Sequence, residues 1–241
     1  MKVYLGIDLG TSCVKVVFLN EQGDITAIGS CDVSLHMPKP GHAQQNPLEW
    51  WNAIREAVAQ AKEKCSHAVV SGIGISGQML GSVLLDEDKK LLDECIIWLD
   101  QRADEENDEI QELLGVDKIL DVTANYPLVS YWAPKLFWIR RHQPELYAKI
   151  RYVLFPKDFI KFKLTGELNI DVTDATGTML FDTEKRVWDY DLFDCMNIDR
   201  NLVPEHVSES TDIVGYVTKE AAEYLGIPEG IPVAFSFSLS R

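Results

Sequence analysis

The first 33 residues leave little room for anything but an antiparallel sheet. Residues 3–9 are apolar and β-prone, Gly10-Thr11-Ser12 breaks the run, and residues 14–19 resume it. Asn20-Glu21-Gln22-Gly23-Asp24 makes a turn, and residues 25–33 form a third strand. Asn46 then caps a helix with Pro47 at its first position, running to about Lys64. Trp50, Ile54, Ala57, Val58 and Ala61 fall at helical spacing on its buried face. The continuous apolar run 69–75 reads as a central strand.

The rest of the chain mixes both element types. Residues 83–85 and 91–92 flank the turn 86–90 and predict a hairpin, and residues 96–100 predict another short strand. Helices are expected over 103–114, 134–141, 144–150, 157–164 and 218–225, with strands at 151–155 and from 231 onward. The pattern is that of an α/β protein. With 241 residues, it has the length of one large domain or two small ones.

Charge excludes some partner classes. The net charge of −15 makes nucleic acid and anionic membrane surfaces poor partners, because both would be repelled. Residues 86–112 carry twelve acids against three bases, Lys89, Lys90 and Arg102. A solvated hairpin tip and an exposed helix face explain this run, since no D-x-D-x-D-G calcium loop is present. The five cysteines are widely spaced and form no C-x-x-C, which predicts reduced thiols in a cytoplasmic protein. The N-terminus lacks a signal-peptide pattern. The longest uncharged stretch, 68–85, is too rich in Gly and Ser to span a membrane.

Three motifs carry candidate chemistry. Gly6-Ile7-Asp8-Leu9-Gly10-Thr11-Ser12 places an Asp at a strand end, then a Gly and two hydroxyl residues in a tight turn. Bare backbone N–H groups there suit a phosphate, and Asp8 suits Mg²⁺; a plain hairpin turn with a surface Asp is the equal alternative. It is not a P-loop, because no G-x-x-x-x-G-K-[ST] exists. Gly72-Ile73-Gly74-Ile75-Ser76-Gly77 matches G-x-G-x-x-G, but a dinucleotide site needs a helix directly afterwards, and residues 78–85 read as loop and strand. Trp98, Asp100 and Arg102 alternate, so a strand would put all three on one face. That face would suit a polyol or sugar; an exposed strand end with an ion pair is the simpler reading. The five histidines form no recognisable ligand or catalytic group, and no G-x-S-x-G elbow occurs.

Taken together the motifs resemble the FGGY carbohydrate kinases, and within them the xylulokinase branch. The resemblance rests on residues 6–15, Pro40-Gly41, Gln45-Asn46-Pro47, Trp50-Trp51, Gly77-Gln78-Met79 and Trp98-Leu99-Asp100-Gln101-Arg102. It continues through Lys135-Leu136-Phe137-Trp138, Leu154-Phe155-Pro156-Lys157-Asp158, Leu164-Thr165-Gly166, Asp171 and Asp174-Ala175. It implies a ribonuclease H-like, actin-like ATPase domain, with a mixed sheet flanked by helices. It implies ATP and Mg²⁺ as cofactors and a small-molecule sugar, a pentulose such as D-xylulose, as phosphoryl acceptor. Asp8, Gly10, Thr11 and Ser12 would face the phosphates and Mg²⁺. Gln78, Met79, Trp98, Asp100 and Arg102 would line the sugar site.

The sequence also departs from the family pattern. Leu80 stands where xylulokinases usually place a His, Leu99 and Gln101 replace Asn and Gly, and Gln44 replaces a common Glu. Ser238 sits about where the family has its catalytic Asp, and a Ser cannot act as that base. The expected organisation is a sugar-binding N-terminal domain over 1–234 and a divergent tail over 235–241, without the C-terminal domain. Such a chain would be inactive alone, and its uncovered cleft wall would favour self-association as a homodimer. Two other readings stand beside it: a non-catalytic sugar-binding module of this fold, and a nicotinamide-dependent oxidoreductase built on residues 72–77.

Overall fold

The computed structural model describes residues 1–235. Its centre is a six-stranded mixed sheet. We label the strands β1 (Lys2–Leu9), β2 (Cys13–Leu19), β3 (Ile25–Asp32), β4 (Val69–Gly77), β5 (Ile213–Tyr216) and β6 (Pro232–Phe235). The spatial order is β5-β6-β4-β1-β2-β3. β1, β2 and β3 form the expected antiparallel meander, while β4 runs parallel to both β1 and β6. Strand β5, which the sequence reading had not singled out, closes the far edge antiparallel to β6.

Helix α1 (Pro47–Lys64) connects β3 to β4 and covers one face of the sheet. The Asn46 side chain caps it by accepting the Leu48 N–H at 2.9 Å. Val3, Leu5, Ile7 and Leu9 of β1 are buried with Trp50, Ile54, Ala57 and Val58 of α1 in one core. The two backbones touch: a Cβ on Gly29 would lie 1.9 Å from the Ala57 carbonyl oxygen. On the other face, Tyr4, Asp8 and Lys15 are exposed along an open groove that includes Gly6, Val17, Gly74 and Ser76.

Between β4 and β5 the chain builds a second, separate core. Helices α2 (Asp104–Leu114) and α3 (Trp132–His142) pack in it, whereas α4 (Pro156–Thr165) turns Phe159, Ile160 and Leu164 into the first core, and α5 (Lys219–Leu225) follows β5. Trp132, Phe137, Phe155, Phe181, Trp188 and Phe193 are buried there. A helix over Val116–Thr123 appears where none was expected, and the helix expected over 144–150 is a single turn, Pro144–Tyr147. The expected hairpin forms as a short one: Asp86 N donates to Lys90 O at 2.9 Å, Leu92 N donates to Leu84 O at 3.0 Å, and Leu85 bridges Leu91. The other edge of Val83–Leu85 pairs along its length with Tyr152–Leu154. Among the described residues no helix is long and apolar enough to cross a membrane.

The closeness of Gly29 to α1 gives a direct test. Gly29→Ala should destabilise the chain by about 1–3 kcal/mol, because the helix has to move off the sheet. The urea midpoint would fall with little change in slope; an unchanged midpoint would show that the contact is slack.

Candidate active site

The parallel strands β1, β4 and β6 end on the same edge of the sheet, and the candidate groups follow those ends. Gly10 N donates to Cys13 O at 3.1 Å and closes the β1–β2 turn. A Cβ at Gly10 would sit 2.8 Å from that same oxygen, so the turn requires glycine here. Asp8 lies opposite Lys15 in register, and both are exposed. Ser12 is exposed as well. The Asp8 carboxylate has no ion pair or hydrogen bond among the described residues.

Thr11 faces a different set of partners. Trp98 Nε1 donates to Thr11 Oγ1 at 3.0 Å, and the hydroxyl reaches Gln78 Oε1 at a long 3.5 Å. Gln78 N extends the strand ladder to Leu9 O at 2.7 Å. Its side chain donates to Gln45 Oε1 at 2.7 Å, which also accepts from Trp50 Nε1 at 3.3 Å. Gln45 Nε2 in turn donates to Thr11 O at 2.8 Å. The chain Trp98–Thr11–Gln78–Gln45 therefore joins the hairpin turn to the sugar-side residues expected from the sequence. Gln45, almost fully buried, is its hub and was not among the expected site residues. Met79 is half-buried beside it in the chain.

Asp100 and Arg102 stand apart from Trp98. The expected strand over 96–100 is only Cys95–Ile96, followed by a turn at Trp98 and Leu99 in which Asp100 N donates to Ile97 O at 3.2 Å. The three residues thus do not share a strand face. Trp98 is 42% exposed while Asp100 is 1% exposed. Arg102 Nη2 meets Asp100 Oδ2 at 2.8 Å, and Arg102 Nε meets Oδ1 at 2.9 Å. The backbone N–H groups of Ala43 and Arg102 add bonds of 2.6 and 2.9 Å to the same carboxylate. The Arg102 guanidinium lies 5.0 Å above the Trp138 ring and donates to Gln44 Oε1 at 2.7 Å. The ion pair is therefore buried and fully bonded, not an exposed strand end. It fixes the turn that presents the Trp98 indole.

A cluster of buried charges lies beneath this edge. Lys157 Nζ is 2.7 Å from Asp174 Oδ2, 3.2 Å from Asp171 Oδ2 and 3.6 Å from Asp158 Oδ1. It also lies 4.7 Å over the ring of Phe235 in β6. Burial lowers the Lys157 pKa, but Asp174, Asp158 and Asp171 outweigh it and hold the group raised. Burial pushes Asp158 up to about 7, against the pull of Lys157, and pushes Asp174 up as well. Both Asp158 oxygens lack hydrogen-bond partners among the described residues. The sequence reading used these residues only as part of the family resemblance.

Residues 78–82 form a loop, not a helix, and strand Val83–Leu85 follows. This removes the dinucleotide reading of residues 72–77, which needs a helix N-terminus for the pyrophosphate. Ser238 lies outside the described residues.

Residues 3–237 match the profile "FGGY family of carbohydrate kinases, N-terminal domain". The chain belongs to the FGGY family of carbohydrate kinases. Among curated relatives, "Xylulose kinase" of Escherichia coli (strain K12) is 36% identical over 225 residues, covering 93% of this chain and 46% of that protein. "Xylulose kinase" of Bacillus subtilis (strain 168) is 36% identical over 237 residues, covering 95% and 46%. The solved structure of xylulose kinase from Rhodospirillum rubrum superposes with a TM-score of 0.94 at 28% identity, covering 98% of this chain and 49% of that one. The chain thus spans about half the length of the FGGY relatives it matches. Its fold is that of the family's sugar kinases, the actin-like ATPase fold.

The charge cluster sets two expectations for stability. Lys157→Met leaves three carboxylates without their cation, so the fold should lose about 3–5 kcal/mol by chemical denaturation. Asp158 has its folded-state pKa raised from 3.8 to about 7, so its contribution is present below the unfolded value and is lost as pH rises toward 7. Asp158→Asn should remove that pH dependence and raise the urea midpoint at pH 8 above that of the parent chain. A parent midpoint that rises from pH 5 to 8 relative to the variant would contradict this.

Proposed function

We propose that this chain is the sugar-binding half of an ATP-dependent sugar kinase. The whole protein would transfer the γ-phosphoryl group of ATP to a hydroxyl of a pentulose such as D-xylulose. Residues 1–234 form the sugar-binding domain in this reading, and the adenine site belongs to the half of the relatives that this chain does not cover. The observation that carries the reading is the Thr11–Gln78 link, which puts the hairpin turn and the sugar-side residues at one strand edge.

The residues present suit the expected groups. Asp8 offers an exposed carboxylate, a hard oxygen ligand of the kind Mg²⁺ takes. Gly10 keeps the turn backbone bare, and the Ser12 hydroxyl is exposed toward solvent, so Asp8, Gly10, Thr11 and Ser12 would hold the Mg·ATP phosphates. Mg·ATP supplies the phosphoryl group and neutralises the charge that develops on it. On the acceptor side, Trp98 would offer its indole to the sugar ring carbons, and Gln78 and Met79 would line the adjoining wall. Asp100 and Arg102 would orient the hydroxyls, chiefly by holding the turn in place. In such reactions the protein mostly positions groups and stabilises charge, while a carboxylate takes the hydroxyl proton. Ser238 stands about where the family pattern has that carboxylate, so the chain alone would bind sugar without turning over. The same residue favours a second reading, a sugar-binding module without chemistry.

The free thiols support a cytoplasmic location, and the exposed Tyr4 and Ile28 on the open sheet face support a homodimer, which size-exclusion chromatography would test. Calorimetric titration with D-xylulose tests the main reading. Trp98→Ala should weaken sugar binding roughly tenfold, about 1.4 kcal/mol, without lowering the melting temperature. Asp100→Asn should weaken it further while keeping the side-chain volume. Unchanged affinity in both variants would remove the sugar site from this edge. A coupled assay with Mg-ATP and D-xylulose should give no turnover, and turnover would restore a catalytic base to this chain.

A further inference from the structure

Lys135 lies in α3 with its side chain wholly buried, yet no carboxylate pairs with it among the described residues. Its ammonium donates instead to two main-chain carbonyls, Leu80 O at 2.6 Å and Ile96 O at 3.3 Å. These carbonyls belong to the two lips of the proposed sugar site: the loop carrying Gln78 and Met79, and the strand end that leads into the Trp98 turn. We propose that Lys135 is a positioning residue that clamps these two lips together and so sets the spacing between Gln78, Met79 and Trp98. The proposal rests on the sugar-site reading above.

The loop needs such an anchor. Leu80 has a φ of 64°, a left-handed backbone that a Leu adopts only at a cost of roughly 1–2 kcal/mol. Its side chain packs against Gly177, where an added Cβ would come within 2.3 Å of Leu80 Cδ2. Trp132, one turn before Lys135 on α3, donates its indole N–H to Gly81 O at 2.9 Å. Helix α3 therefore grips successive carbonyls of the strained loop, and Lys135 adds a side-chain tie to the opposite lip beside the backbone bond from Ser82 N to Ile96 O at 3.0 Å. An unpaired buried ammonium is expensive, and an apolar side chain would serve the core better. A charge kept under those conditions is explained by the two carbonyls that it joins.

The environment makes the clamp sensitive to pH. Burial lowers the Lys135 pKa to about 8; Cys95 and Asp100 oppose the shift and Arg102 adds to it. The charged, clamping form is present below that value and lost above it.

The test compares the parent chain with Lys135→Met by calorimetric titration with D-xylulose from pH 6.5 to 9.5, with melting curves alongside. The variant should melt within a few degrees of the parent, bind D-xylulose at least tenfold more weakly at pH 7, and show little pH dependence. The parent should weaken above pH 8 toward the variant's affinity. A folded variant that binds as tightly as the parent overturns the proposal. If the parent binds no D-xylulose, the sugar reading fails, and amide hydrogen exchange decides the clamp separately. Faster exchange confined to residues 78–82 and 96–99 in Lys135→Met supports it, and unchanged exchange overturns it. Should the variant not fold, the same two segments of the parent chain decide the matter. Their selective loosening above pH 8 supports the clamp, and unaltered protection overturns it.

Discussion

The register of β1 against β4 decides where every candidate group stands. Leu9 pairs with Gly77, so the residues just past both strands are forced into contact. Gln78 adds one more ladder bond to Leu9 O and then turns its amide toward Gln45. A shift of one residue would flip every side chain of β1 to the other face and carry Asp8 under α1. The apolar set Val3, Leu5, Ile7 and Leu9 forbids that shift, because those four fill the space beneath Trp50 and Ile54. The site's geometry is thus a by-product of packing the sheet against one helix.

Three buried ammonium groups around this edge are satisfied in different ways. Lys157 meets three carboxylates, which hold it charged. Lys161 donates to Glu167 O, and Lys135 to two carbonyls; burial lowers both to about 8. Full charges around Lys157 lock α4 to the segment 171–174. Burial leaves the other two lysines charged below about pH 8 but holding their protons less firmly, so a modest rise in pH can discharge them.

The elements most legible in the sequence were those fixed by local chemistry. The Gly10 turn, the Asn46 cap and the three N-terminal strands each follow from residues adjacent in the chain. Local chemistry failed where distant partners compete. Val83–Leu85 also takes Tyr152–Leu154 on the edge away from its neighbour at 91–92, and nothing near residue 85 signals that second partner. The alternation of Trp98, Asp100 and Arg102 resembles a strand, and no Gly or Pro marks the turn there. The polar residues of the site, Thr11, Gln78 and Trp98, were visible as types. Their shared hub, Gln45, becomes visible only when helix α1 brings the preceding segment over the strand ends. Lys157 and Asp158 entered the sequence reading only through the family resemblance, because their pairing depends on Asp171 and Asp174 arriving from outside α4.

The pairing of β6 with β4 matches Val233 with Ile73, with the whole second core folded from the chain in between. The meander β1–β3 closes through short turns, and α1 brings β4 alongside with a connection of modest length. Closing the long loop to β6 costs more chain entropy than any of these, and that cost is recovered only once the intervening body has condensed. Strand β6 therefore joins a sheet that already exists, and on a ribosome it emerges after the rest of the sheet has been made. Phe235, whose ring meets both Lys157 and Lys161, arrives with β6, and it covers the buried charges as that strand docks.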